Sequence, residues 1–325
     1  MTVDPELIER FRADLNRVWR LEDEEKLGIA FSGGADSLAL LVLASMVLPG
    51  RVEAATVDHG LRPESAAEAK VAAGVCRALN VPHSILSVEV APGNTQSKAR
   101  AARYAALSDW AVTRSIGYVA TGHHADDQAE TFLMRANRSS GLSGLAGVRE
   151  VTMMEGSDLL ILRPLLGWRR SALRAIAQAS GLPIAEDPSN RNNAYDRVRM
   201  RKGLEQAHFI DVHGLAASAG FLADMQADID GMALEEWANA QDEDGAPGRY
   251  RPFARSGVHR PVFQAEVVRL ICTRLGASLS RRDARRMVEE LLAERAVNIG
   301  GIQARALPDD DVIWTFAAEN PRRTG

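Results

Sequence analysis

The sequence predicts an α/β protein: a doubly wound, mainly parallel sheet followed by a smaller α-rich domain. Three observations carry this. Short apolar runs alternate with helical patterns from Lys26 through Leu162, and such alternation implies parallel strands covered on both faces. The stretch Lys26–Leu41, KLGIAFSGGADSLALL, reads as buried strand, glycine turn and apolar helix in succession. Beyond residue 213 the pattern becomes mainly helical. A chain of 325 residues accommodates about two domains, expected at 1–212 and 213–325.

The elements follow in order. Leu7, Ile8, Phe11, Leu15, Val18 and Trp19 recur at helical spacing, so residues 4–20 are predicted as an amphipathic helix. Leu27–Phe31 is the first strand, Ser32-Gly33-Gly34 the turn, and the apolar run from Leu38 the second helix. Pro49-Gly50 breaks the chain. A second strand, Arg51–Val57, ends at Asp58-His59-Gly60, and an alanine-rich helix covers Glu64–Leu79. Val81–Val90 holds a third strand. Thr95–Ile116 is a long helix carrying Arg100 and Arg103, and Tyr118–Thr121 is a fourth strand. Gly122–Thr131, GHHADDQAET, opens the next helix. Arg138 leads into a glycine-rich segment, Ser139–Gly147, expected to be a mobile loop serving as a lid or an RNA contact. A strand at Leu159–Leu162 and a helix at Arg169–Ser180, ended by Gly181, come next. His213–Gly220 suggests a linker or hinge helix. Helices at 221–239, 264–275 and 281–294 and strands at 297–302 and 312–316 complete the chain.

Composition excludes several classes. No run of about 18 apolar residues exists, so no membrane span is expected. The charged N-terminus does not read as a signal peptide. Cys76 and Cys272 lie too far apart in sequence for a CxxC metal site, and a cytoplasmic location is the simplest reading. The net charge of −4 does not mark a nucleic-acid binder. The distribution is uneven, however: residues 163–202 carry nine Lys/Arg against three Asp/Glu. Such a stretch can bind phosphates or simply form a solvated basic face.

Ligands of an open α/β sheet bind at the carboxyl ends of the strands. Ser32, Asp58 and Gly122 each follow a strand, so they are expected on one edge. Ser32, Gly33, Gly34, Ala35, Asp36 and Ser37 form a phosphate cradle. Glycines allow close approach, and the first N–H groups of a helix lack intrahelical partners. This is neither a Walker A loop nor a dinucleotide fingerprint. Asp36 beside phosphates is unfavourable unless it holds Mg²⁺ or an electrophile. His59 and Arg62 can reach a base or ribose, or belong to a plain loop. With a helix start near His124, His123, Asp127 and Glu130 approach one face. Three readings of that face stay open: a metal site, a pocket for a cationic substrate, and acidic capping of the first helical turn. Arg197 and Arg201, four apart, share a helical face.

Ser32–Ser37 resembles the pyrophosphate loop of the N-type ATP pyrophosphatases. With Val57–Pro63 (VDHGLRP), Arg100–Tyr104 (RAARY), Gly122–Thr131, Ser140–Gly147 (SGLSGLAG), Arg163–Leu166 (RPLL) and Glu186–Asn190 (EDPSN), the chain resembles the bacterial tRNA(Ile)-lysidine synthetase family. These pieces run in order through residues 26–201, and the C-terminal part matches less clearly. One departure is visible: the family has an Arg-Asn pair after EDPSN, where this chain has Arg197-Val198. The resemblance implies an adenine nucleotide alpha hydrolase-like fold and ATP-dependent ligation of L-lysine to the wobble cytidine of tRNA(Ile) with a CAU anticodon. It implies ATP bound at Ser32–Ser37, Asp58, His59, Arg62 and Gly122, with Asp36 holding Mg²⁺ or orienting the cytosine. It implies lysine held and deprotonated by Asp127 and Glu130 with His123. Arg201 would stabilise charge on the adenylate, and Arg100, Arg103, Arg138 and Arg197 would meet tRNA or phosphate. The C-terminal domain would bind tRNA, and a homodimer is carried as an expectation.

Overall fold

A computed structural model of the chain describes residues 3–20, 22, 24–60, 65–88, 95–154, 156–185, 196–240, 248–252, 260–307 and 312–319. Arg62 and the Glu186–Asn190 segment lie outside the described residues. The chain divides into two compact units, Met1–Ala223 and Asp224–Gly325. The division therefore falls later than the expected 212/213 boundary.

The first unit is built on six strands: β1 (Leu27–Ala30), β2 (Val52–Asp58), β3 (His83–Ser87), β4 (Tyr118–Ala120), β5 (Val151–Met153) and β6 (Leu160–Leu162). Their order across the sheet is β3-β2-β1-β4-β6-β5. All neighbours are parallel except β5, an antiparallel edge strand on β6. The chain lays β2 and β3 on one side of β1 and β4 and β6 on the other. The order therefore reverses between β1 and β4, and a crevice opens at their carboxyl ends. Sequence reading missed β5, whose three residues carry little alternation.

Successive strand residues point to opposite faces. Ala54, Ala120 and Leu162 join one cluster, with α1 (Pro5–Val18), α2 (Ala35–Val47) and α7 (Arg170–Ala179). Ala55, Val119 and Ile161 join another, with Leu107, Trp110 and Ala111 of α4 (Thr95–Thr113). Both faces of the sheet are thus covered, as a parallel sheet requires. Helix α2 is buried along most of its length, including Leu38–Ala44. A helix apolar all round must lie between layers, and this one carries the cradle at its N-terminus.

Three further elements matter for the site. Helix α5 (Ala125–Ala136) follows β4, and α6 (Leu142–Leu145) forms within the glycine-rich segment. That segment is tied down rather than irregular. The Gln128 amide bonds Val148 twice, at 2.7 Å each, and Arg135 Nη1 donates to the Gly144 carbonyl at 2.7 Å. Helix α8 (Asp196–Gln206) carries the arginine pair.

Helix α9 (Val212–Ala240) runs without interruption through His213–Gly220, so that stretch is continuous helix. In the second unit, α10 (Pro261–Arg274) and α11 (Arg281–Leu292) accompany a four-stranded antiparallel sheet. Its strands, in the order β7-β10-β9-β8, are β7 (Arg249–Tyr250), β8 (Val297–Ile299), β9 (Ile302–Leu307) and β10 (Ile313–Ala318). Its core packs Tyr250 and Trp314 edge to face at 5.8 Å among Val267, Ile271, Met287 and Val288. Among the described residues, no helix is long and apolar enough to cross a membrane.

Candidate active site

The crevice between β1 and β4 holds a cavity of about 360 Å³. Its apolar lining comes from Ala30, Phe31, Ala55, Val57 and Leu107. Its polar lining includes Ser32, Asp36, Ser37, His123 and Asp127, the Gly122 backbone, and Arg100, Arg103, Arg197 and Arg201. Four guanidinium groups against two carboxylates suit a polyanionic ligand.

The cradle forms because the chain must turn sharply from β1 into α2. Gly33 sits at φ +81°, a backbone region that side chains disfavour, and its carbonyl accepts the Ala185 N–H at 2.9 Å. Gly34 caps α2 with no side-chain hydrogen bond, so the first turn of that helix has no side-chain cap. Ser37 Oγ donates to the Gly34 carbonyl at 3.0 Å, and the Ser32 and Ser37 hydroxyls meet at 3.1 Å. Gly122, at the end of β4, closes the other wall. A Cβ there would come within 3.1 Å of the Asp36 and Ser37 backbone, so any other residue would press β4 away from α2.

His123 and His124 separate in role. His123 precedes α5, lines the cavity, and bonds Thr121 Oγ1 through Nδ1 at 2.8 Å. It therefore does not lie on the helical face that carries Asp127 and Glu130, contrary to the expected spacing. Burial, joined by the nearby arginines, pushes its pKa down to about 4, against a smaller opposing pull from Asp127. The sign is that of a histidine held neutral: folding disfavours its protonation, so charge appears only as the pH falls well below its ordinary titration range. A ¹H–¹⁵N titration should find the His123 ring uncharged at pH 5.5; a midpoint near 6.5 would contradict its burial.

His124, by contrast, was not anticipated as a site residue. It is only 1% exposed and is the N-cap of α5. Its Nδ1 accepts the Asp127 N–H at 3.3 Å, while its own N–H donates to Asp127 Oδ2 at 3.1 Å. Its Nε2 lies 3.5 Å from Asp36 Oδ2 and 3.6 Å from Asp127 Oδ2. Asp36 and Asp127 thus flank one imidazole nitrogen, on one side of the sheet.

The acidic residues of α5 divide as sharply. Asp126 is structural: it accepts the Arg170 N–H at 2.7 Å and pairs with Arg169 at 3.1 Å, capping α7 from outside that helix. Asp127 faces the cavity, where Oδ1 receives Arg197 Nη2 at 2.7 Å. Burial works to raise its carboxyl pKa, but His124, Arg197 and His123 outweigh that and hold it below the usual carboxylate range. Glu130, 1% exposed, does not line the cavity. It gathers three guanidinium groups: Arg197 Nε at 2.8 Å, Arg201 Nε at 2.8 Å and Arg170 Nη2 at 3.3 Å.

Three other expected residues lie apart from the cavity wall. Asp58 Oδ1 accepts the Gly60 N–H at 2.9 Å, His59 Nε2 sits 3.3 Å from Arg103 Nη2, and neither residue lines the cavity. Arg138 pairs with Asp196 at 2.7 Å on an exposed surface between α5 and α8.

A phosphate cradle at the switch point of a parallel sheet, with an acidic and basic wall beside it, defines a class: the PP-loop ATP pyrophosphatases. Residues 7–208 match the model of the PP-loop domain. A U34-tRNA thiolase from Methanococcus maripaludis, solved with its 4Fe-4S cluster, shares the fold. The TM-score is 0.56 at 18% identity, covering 67% of this chain and 78% of that one. Closer relatives narrow the class. A tRNA(Ile)-lysidine synthase of Zymomonas mobilis subsp. mobilis is 42% identical over 316 residues, covering 92% of this chain and 90% of its own. One of Novosphingobium aromaticivorans is 45% identical over 231 residues, covering 70% of each. The chain belongs to the tRNA(Ile)-lysidine synthase family, a family of ligases.

Proposed function

We propose that this enzyme joins L-lysine to C2 of the wobble cytidine of tRNA(Ile) with a CAU anticodon, so that the anticodon reads AUA in place of AUG. The observation that carries the reading is one cavity shared by the glycine-turn cradle and the Asp127 carboxylate, linked within 3.6 Å through His124. The lining suits ATP: the apolar residues suit adenine, and the uncapped first turn of α2 with Ser32 and Ser37 suits the phosphates. Among the described residues, Asp36 Oδ1 is buried without a hydrogen-bond partner. A lone carboxylate oxygen beside phosphates is a donor that suits Mg²⁺, with Asp36 as its protein ligand. When bound, that ion would neutralise charge on the pyrophosphate leaving group.

Two displacements follow from this arrangement. Cytosine O2 attacks the α-phosphorus, the bond to the bridging oxygen breaks, and pyrophosphate leaves. The lysine amine then attacks C2, the C2–O2 bond breaks, and AMP leaves. An ε-ammonium has a pKa near 10.4 in water and must lose a proton first. Asp127, held anionic, is suited to bind the ammonium rather than to deprotonate it. The surrounding arginines disfavour a second cation and so ease release of the proton. Neutral His123 adds a polar contact without adding charge. Glu130, saturated by guanidinium groups, acts at one remove by fixing Arg197 and Arg201 toward the adenylate.

The Asp127→Asn substitution should raise KM for lysine about tenfold or more, for loss of one charge-assisted contact, with adenylation less affected. Separate pyrophosphate-release and lysine-transfer assays read the two halves. Loss of adenylation alone would assign Asp127 to the nucleotide. Sulfur transfer is a poorer reading. Cys76 and Cys272 are each buried in the core of their own unit, and burial pushes the Cys76 thiol up to about 12. The decisive test of the reading is product stoichiometry. One AMP and one pyrophosphate per modified tRNA are expected, abolished when the wobble cytidine is replaced by uridine. ADP and phosphate would overturn it. A tRNA substrate carries with it a cytoplasmic site of action.

A further inference from the structure

Burial of a polar nitrogen without a partner is costly, and His124 Nε2 is such a nitrogen. The ring is 1% exposed and is fixed at the other end, where Nδ1 accepts the Asp127 N–H. An accepting Nδ1 leaves the proton on Nε2. Asp36 Oδ2 at 3.5 Å and Asp127 Oδ2 at 3.6 Å are its carboxylate neighbours, and neither makes a hydrogen bond with it. The other oxygen of the Asp36 carboxylate, Oδ1, is buried and has no hydrogen-bond partner among the described residues. Capping α5 accounts for one ring nitrogen and for nothing at the other. Serine would cap as well without burying a second polar atom.

We propose that His124 is a positioning residue: its Nε2–H sets the spacing of the two aspartates, one serving the nucleotide and one the amine. The inference rests on the lysine-ligase reading above. Two like charges this close repel, and a single donor shared between them offsets that repulsion without adding a cation that would pair with either. The ring bridges α2 and α5, the elements that follow β1 and β4, so it couples the two halves of the site across the switch point. A ring locked by its cap at one end has one orientation to offer at the other.

The two roles of the ring come apart by substitution. His124→Asn keeps a side-chain acceptor for the Asp127 N–H but cannot reach the carboxylates. His124→Gln is a weaker cap but extends an amide donor toward them. A pure cap predicts near wild-type activity for Asn and the larger loss for Gln. A positioning residue predicts the opposite order. Asn should keep the wild-type Tm yet lose about 10- to 100-fold in lysine transfer, while Gln has a lowered Tm but retains more activity per folded molecule. Equal activity of wild type and the Asn variant would overturn the inference. A readout independent of turnover accompanies it: the ¹⁵N imidazole spectrum of the wild-type enzyme should show Nε2 protonated and Nδ1 bare. The reverse tautomer overturns the inference whatever the activity. Wild-type enzyme that transfers no lysine while showing the expected tautomer would instead sink the ligase reading.

Discussion

Asp36→Ala is expected to abolish pyrophosphate release while leaving the fold intact. Asp36 stands in the first turn of α2, and its described side-chain contact is the His124 ring at 3.5 Å. Its loss removes a favourable acid from a helix N-terminus, worth about 0.3–1 kcal/mol. A fall in Tm of a few degrees at most follows. The expected chemical cost is far larger. Removing one preorganised group that meets transition-state charge typically costs about 10²–10³ in rate, and the oxygen proposed to hold Mg²⁺ goes with it. A quench assay for pyrophosphate, run beside a thermal melt, separates the two. Turnover within tenfold of wild type would remove Asp36 from the mechanism.

Glu130→Gln carries the second large effect, on stability and chemistry together. Three guanidinium groups converge on this carboxylate from α7 and α8. Without its charge they repel one another around a neutral amide. Breaking a buried ion pair costs about 3–5 kcal/mol. The lower end applies, because Arg197 is 44% exposed and water screens it. For a unit of this size, about 3 kcal/mol corresponds to a drop of roughly 6–12 °C in Tm. Both half-reactions should slow, since Arg197 and Arg201 lose the anchor that aims them. An unchanged Tm with a raised KM for lysine alone would contradict this, and would mean that Glu130 meets the amine directly.

These two residues show what the sequence disclosed and what it hid. The cradle was legible because it is local: strand, glycine pair and apolar helix lie within sixteen consecutive residues. The order of apolar runs gave the parallel sheet, and the shared edge of Ser32 and Gly122 followed from connectivity alone. Asp127 was found because two histidines and three acids crowd one short stretch. Its neighbours were not. Glu130 meets Arg170, Arg197 and Arg201 from 40 to 71 positions away, and no local pattern encodes such a meeting. The spacing of Arg197 and Arg201 hinted that they act together, but not on what.

His124 illustrates a second limit. The sequence offers two adjacent histidines, and spacing favoured His123 as the face-sharing residue. In the structure the helix begins one residue later, so His124 becomes the cap and turns inward, while His123 stays in the loop. One residue of register decides which imidazole touches the carboxylates. His213–Gly220, expected as a linker or hinge helix, is helix: α9 runs through its glycines and alanines. Edge strand β5 was too short to announce itself.

If cradle and amine site serve one cytosine, labelled lysine must pass from solution to a tRNA(Ile) transcript with a CAU anticodon in the presence of ATP. Stoichiometric label is expected with the wild-type enzyme, none with Asp36→Ala, and none with a transcript whose wobble base is uridine. ATP consumption with tRNA left unlabelled, or label that survives the change of wobble base, would contradict it.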